Sequence, residues 1–234
     1  MYGTSPMSAG SLSQWRKAKR QYLNQRSDIR YHFALKRWLD LILAGIGVVV
    51  IAPLLLLIAI TVRLSSPGPI LFIQERLGRY GQPFRIYKFR TMVAGAVHIG
   101  TGLDTFKGDP RVTTVGKILR EYHLDELPQL FNVLQGDMSL VGPRPLLMSS
   151  LATYQDWEKR RLLVRPGVTA WEAVQGGLLN TVDERIALDV WYVDHWTIWL
   201  DLWILLKTIP VVLTKEGAYG ENGSERGRES RIRS

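Results

Sequence analysis

The sequence predicts an α+β fold: a mainly helical, membrane-associated domain with an N-terminal re-entrant membrane helix, a small β-hairpin and interfacial amphipathic helices. Three observations predict it. The run Leu41 to Val62 holds 22 residues without one charge. Two short apolar runs flank a turn with two glycines between Gly78 and Pro83. Four of the eight tryptophans, Trp191, Trp196, Trp199 and Trp203, are interleaved with Asp194, Asp201 and Lys207 near the C-terminal end.

The elements follow in order. Residues 1–37 form a basic segment, with Arg16, Lys17, Lys19, Arg20, Arg26, Arg30, Lys36 and Arg37 against the single acid Asp28. Such a segment is drawn to an anionic membrane surface or to nucleic acid. The uncharged run that follows is about 33 Å long as a helix, close to the roughly 30 Å hydrocarbon thickness. A soluble-core helix is seldom apolar on every face for this length. Pro53 sits in mid-run and favours a kink. Basic residues flank both ends, Lys36 and Arg37 before it and Arg63, Arg76 and Arg79 after it, so both ends carry the cytoplasmic signature. A helix–break–helix over residues 38–62 that enters and leaves one leaflet satisfies this pattern. An ordinary kinked spanning helix is the alternative.

Residues 63–213 have mixed, soluble character and form the predicted catalytic domain. Ile70 to Gln74 and Phe84 to Phe89 read as hairpin strands. Leu127, Leu130, Phe131 and Leu134 fall at helical spacing and stop at Gly136. Asp183 to Leu213 reads as one helix whose tryptophans suit a headgroup interface, with plain core packing as the rival. Residues 214–234 read as a polar, disordered tail.

Composition narrows the chemistry. The formal net charge is +9 and the pI about 9.9, so nucleic acid, anionic lipid and phosphorylated substrates are all candidate partners. There is no cysteine, which excludes disulfides, thiolate metal sites and cysteine nucleophiles. No secretory signal peptide is legible in residues 1–37. His123-Leu124-Asp125-Glu126-Leu127-Pro128 places two acids in the first predicted helical turn, where acids also serve as plain caps. Downstream, Gly142-Pro143-Arg144-Pro145 presents one arginine from a rigid turn, and a planar guanidinium suits phosphoryl oxygens.

The string LDELPQLFNVLQGDMSLVGPRP, Leu124 to Pro145, resembles the signature of the bacterial sugar transferases, the monotopic polyprenyl-phosphate phosphoglycosyl transferases. KRWLD at Lys36 to Asp40, SPGP and QERLG between Ser66 and Gly78, PFRIYKFRTM at Pro83 to Met92, VRPGVTAW at Val164 to Trp171 and LDVWYV at Leu188 to Val193 agree in order. The resemblance covers most of residues 34–213 and looks like the minimal catalytic form. It implies transfer of a sugar 1-phosphate from a UDP-sugar to polyprenyl (undecaprenyl) phosphate. The products are polyprenyl-diphosphate-sugar and UMP, in the initiating step of bacterial surface glycan synthesis. In that implied route Asp125, with an ordinary carboxylate pKa, attacks the donor's β-phosphate and forms a covalent intermediate. Glu126, with Asp125, holds Mg2+, while Arg144, Lys88, Arg90 and Arg165 contact phosphate. The implied location is the inner (cytoplasmic) membrane, with the catalytic domain on its cytoplasmic face. Membrane lipids are partners, nucleic acid is not, and a homodimer stays open.

Two departures from the family pattern stand out. Ala52-Pro53 replaces the usual Ser-Pro pair, and Thr169 to Gly177 lacks the amide and arginine of the usual Thr-Gly-Trp-Ala-Gln-Val-Asn-Gly-Arg. Two rivals remain at this level. A Mg2+-dependent nuclease explains the acids and the basic charge but not the uncharged run. A non-catalytic basic membrane adaptor explains the run and the charge but gives the acids no task.

Overall fold

The computed structural model describes residues 29–215 apart from 101, 103–105 and 107, with side chains from Ala34 onward. Residues 1–28 of the predicted basic segment and 216–234 of the predicted polar tail lie outside the described residues. Helix α1, Ile29–Ser65, has 37 residues and is about 55 Å long. It starts before and ends after the predicted 38–62 span, and it stays helical through Pro53, so the predicted break is absent. The physical reason is the docking on either side of the proline. Ala44 packs with Phe84, Ile86, Val133 and Met138. Beyond Pro53, Leu55, Ile58 and Val62 pack with Phe89 and Leu119. This stripe keeps helical spacing across the proline, which costs one backbone hydrogen bond. The other faces carry exposed Ile46, Val49, Val50, Leu56 and Leu57. Among the described residues α1 is the one helix long and apolar enough to cross a membrane.

The start of α1 is pinned by three polar side chains of the KRWLD segment. Lys36 Nζ donates to Asp201 Oδ2 at 2.5 Å. Arg37 donates to the carbonyls of Val133 and Leu134, at a helix C-terminus that favours positive charge. Asp40 accepts from Ser139 Oγ and Leu140 N at 2.8 and 3.1 Å. Trp38 between them is 65% exposed.

Strands β1, Leu71–Leu77, and β2, Pro83–Phe89, form the expected antiparallel hairpin, with Leu71 opposite Phe89 and Leu77 opposite Pro83. The first strand runs further than its predicted end at Gln74. Helix α2, Thr114–Glu121, leads into a 3-10 turn, Leu124–Glu126, and then α3, Gln129–Gln135. The two acids therefore sit in a separate turn ahead of the helix, not in its first turn as predicted. Gly136 ends α3 at φ 99, a left-handed position that glycine adopts without a Cβ clash. Strands β3, Ser139–Val141, and β4, Gly167–Thr169, pair in parallel.

Helix α4, Trp171–Val174, is followed by α5, Val182–His195, and α6, Ile198–Thr214. The single helix predicted over Asp183 to Leu213 is thus two. Thr197 is extended and its side chain accepts from Leu200 N, which restarts the helix. Trp196, at the break, is 2% exposed and donates to Asp201, so it belongs to the core and not to an interface. Trp199 is 79% exposed, and Trp191 and Trp203, exposed to 39% and 40%, flank Trp171.

Candidate active site

The site forms where the 3-10 turn Leu124–Glu126 meets β2 and the turn after β3. His123 opens that turn in the left-handed region at φ 53, a position that few residues other than glycine adopt. Both acids are buried. Glu126 Oε1 accepts from Lys88 Nζ at 2.7 Å and from Arg144 at 3.0 Å. Asp125 has no side-chain hydrogen-bond partner among the described residues, although the charges of Lys88, Arg120 and Arg144 act on it.

The two carboxyls are therefore driven apart. Burial is the largest influence on each and favours the neutral form. At Asp125 burial wins, and its carboxyl is pushed up to about 6. This corrects the ordinary pKa expected from the sequence. At Glu126 the Lys88 and Arg144 charges outweigh burial and hold the carboxyl well below its usual range. Arg144 is raised in turn, first by Glu126. One acid is clamped and fully ionised, while its neighbour is unclaimed and more basic than usual.

Arg144 is delivered by a close backbone approach. Gly142 N donates to Thr169 O at 3.1 Å, and Gly167 N donates to Pro143 O at 3.0 Å. A Cβ at Gly167 would sit 2.1 Å from Gly142 N, so only glycine permits this spacing. Lys88 is set by the opposite edge of the site. Asn132, fully buried on α3, accepts from Tyr87 N at 3.0 Å and donates to Arg85 O at 2.7 Å, closing the free edge of β2.

Asp125, Glu126, Lys88 and Arg144 thus come together. The two other predicted cations direct hydrogen bonds elsewhere. Arg90 donates to Val62 O and to Ser66, at the end of α1. Arg165 Nε donates to Gly136 O at 2.7 Å. Three residues behind the site were missed by sequence reasoning. Arg161 and Asp189 form a buried ion pair. Glu172, buried on α4 within the segment that departs from the family pattern, adds negative charge near Arg144 and Asp189. Glu172 and Asp189 carried one signal, a charge among apolar neighbours; Arg161, in the charged run Glu158 to Arg161, carried none.

Among the described residues no group of three or more acidic or histidine side chains gathers to form a metal cage. Mg2+ is commonly held by one or two carboxylates together with substrate phosphates. The adjacent Asp125 and Glu126 fit an ion of that kind, one that shares its ligands with a bound diphosphate.

A buried acid pair thus lies under two cations, close to a helix with exposed apolar faces. The chain belongs to the bacterial sugar transferase family, whose model matches residues 31–215. It is 41% identical over 194 residues to the UDP-N-acetylgalactosamine-undecaprenyl-phosphate N-acetylgalactosaminephosphotransferase of Aeromonas hydrophila, covering 79% of this chain and 45% of that protein. It is 45% identical over 199 residues to the UDP-glucose:undecaprenyl-phosphate glucose-1-phosphate transferase of Caulobacter vibrioides, covering 79% of this chain and 72% of that protein. The uncharacterized sugar transferase EpsL of Bacillus subtilis is 43% identical over 188 residues, covering 80% of this chain and 92% of that protein. The chain therefore spans under half of the first relative and most of the other two.

Proposed function

We propose that the protein transfers a sugar 1-phosphate from a UDP-sugar to undecaprenyl phosphate, releasing UMP and forming undecaprenyl-diphosphate-sugar. The observation that carries this reading is the contrast between the two acids. Glu126 is held by Lys88 and Arg144, whereas Asp125 is buried, unclaimed and raised to about 6. A carboxylate with that pKa is still mostly ionised at neutral pH and needs no separate base.

Asp125 attacks the phosphorus that bears the sugar, and the P–O bond to UMP breaks. The resulting acyl phosphate is then attacked by an oxygen of the lipid phosphate, which returns Asp125 to its carboxylate form. Lys88 and Arg144 bind phosphoryl oxygens and draw charge away from the attacking acid. Glu126, with Asp125, would hold Mg2+, which supplies neutralisation of the donor diphosphate.

The same reading places the protein at the cytoplasmic face of the inner membrane without crossing it. The support is mechanical: Lys36, Arg37 and Asp40 at one end of α1, and Val62 at the other, all dock on one small domain. With both ends of the apolar run held against one domain, we read the helix as lying along one leaflet, whose acyl chains suit its exposed apolar faces.

Nucleotide exchange tests the covalent step. With UDP-sugar, Mg2+ and no lipid acceptor, labelled UMP should enter the UDP-sugar pool. If complete reactions turn over normally but exchange never occurs without lipid, Asp125 is not the nucleophile and the transfer is direct.

A further inference from the structure

Arg144 is fixed on its N-terminal side by the β3–β4 approach, but that approach leaves the arginine's own carbonyl unexplained. Arg161, in the 3-10 segment Glu158–Leu163, supplies the missing contact. Its NH2 nitrogen donates to Arg144 O at 2.6 Å and also pairs with Asp189 on α5. Its NH1 nitrogen donates to Tyr154 OH at 2.5 Å. Burial pushes the Asp189 carboxyl up to about 7 against the pull of the Arg161 charge, and its Oδ1 has no hydrogen-bond partner among the described residues. Arg161 is 3% exposed and Asp189 1%.

We infer that the buried Arg161–Asp189 pair is a positioning device for Arg144, holding its main chain so that the guanidinium meets the donor's phosphate. This rests on the proposed function, in which Arg144 is a phosphate ligand. Among the described residues neither member of the pair is hydrogen-bonded to Asp125 or Glu126, and the hydrogen bond that links the pair to the site is the one from Arg161 to Arg144 O. Stability alone does not account for the pair. Buried ion pairs are often replaced by well-packed apolar residues at no loss of stability. What such replacements cannot reproduce is a rigid fork that meets an aspartate, a tyrosine hydroxyl and a main-chain carbonyl together. A lysine keeps the charge but not this geometry.

A double-mutant cycle on UDP binding tests the inference, using the full chain in detergent with Mg2+ and calorimetric titration. Arg144→Ala should weaken UDP binding by about tenfold, as expected for loss of a charge-assisted contact. Arg161→Lys should weaken it severalfold. The double variant should bind as Arg144→Ala does, because a residue acting only through Arg144 has nothing left to position. If Arg161→Lys does not fold, Arg161→Met/Asp189→Leu replaces it in the cycle, since that pair leaves no uncompensated buried charge. Either of two results overturns the inference: UDP binding at the wild-type level in the folded Arg161 variant, or a double variant weaker than Arg144→Ala by the full Arg161 factor. Wild-type UDP binding by Arg144→Ala is a separate outcome, and it removes the phosphate-ligand reading and the inference with it.

Discussion

At the residue scale, the raised carboxyl of Asp125 makes two measurable demands. Its deprotonated form is the nucleophile, so kcat/KM should rise with pH through about 6 and level off above it. A profile still flat down to pH 5 would contradict the assignment. The same shift acts on stability. A carboxyl whose folded pKa lies above its unfolded value stabilises the fold below about 4, and that contribution is lost as pH rises through about 6. Asp125→Asn should therefore be more stable than wild type at pH 7.5, by on the order of 3 kcal/mol and with a higher melting temperature, and lose that margin near pH 4. Its activity should fall about 10⁴-fold. Arg144→Lys should lose roughly tenfold or more in turnover despite keeping its charge. EDTA should abolish activity and Mg2+ restore it, with Glu126→Gln blunting the response; full activity in EDTA would remove the metal from the scheme. Asp125, Glu126 and Arg144 were legible because one contiguous string carries them. Arg161 and Asp189 were not, since their meaning lies in a pairing between residues 28 apart. Arg90 and Arg165 teach the converse: a sequence records a cation but not the carbonyl it reaches.

At the element scale, α1 was legible as an apolar helix but not as a docked one. The uncharged run fixes what solvent the helix tolerates, whereas the stripe from Ala44 to Val62 depends on partners far along the chain. Cysteines are clean probes here because the protein has none. Leu35→Cys and Leu64→Cys, both at exposed positions, should be labelled from the cytoplasmic side in sealed vesicles. Labelling from opposite sides would make α1 a spanning helix. Arg37→Ala should cost about 1 kcal/mol by uncapping the end of α3, measured as a lower melting temperature in detergent. The tryptophan pattern misled for a related reason. Composition cannot distinguish a side chain that closes a helix break, like Trp196, from one that faces outward, like Trp199.

At the scale of the whole molecule, a net charge of +9 and an apolar outer face act together. Binding to vesicles containing anionic lipid should weaken with added salt yet persist at high salt, because the charge is screened and the apolar contact is not. Complete release at high salt would reduce α1 to an electrostatic tether. The docking of α1 also bears on how the protein is made. Phe84, Ile86, Val133 and Met138 share one cluster with Ala44, so the domain's core is finished by a helix that leaves the ribosome before any of them. A chain begun at Ser66 would display that cluster and aggregate. The order of synthesis thus supplies the first half of this interface before the second, and the remainder of the domain can fold against a helix already made.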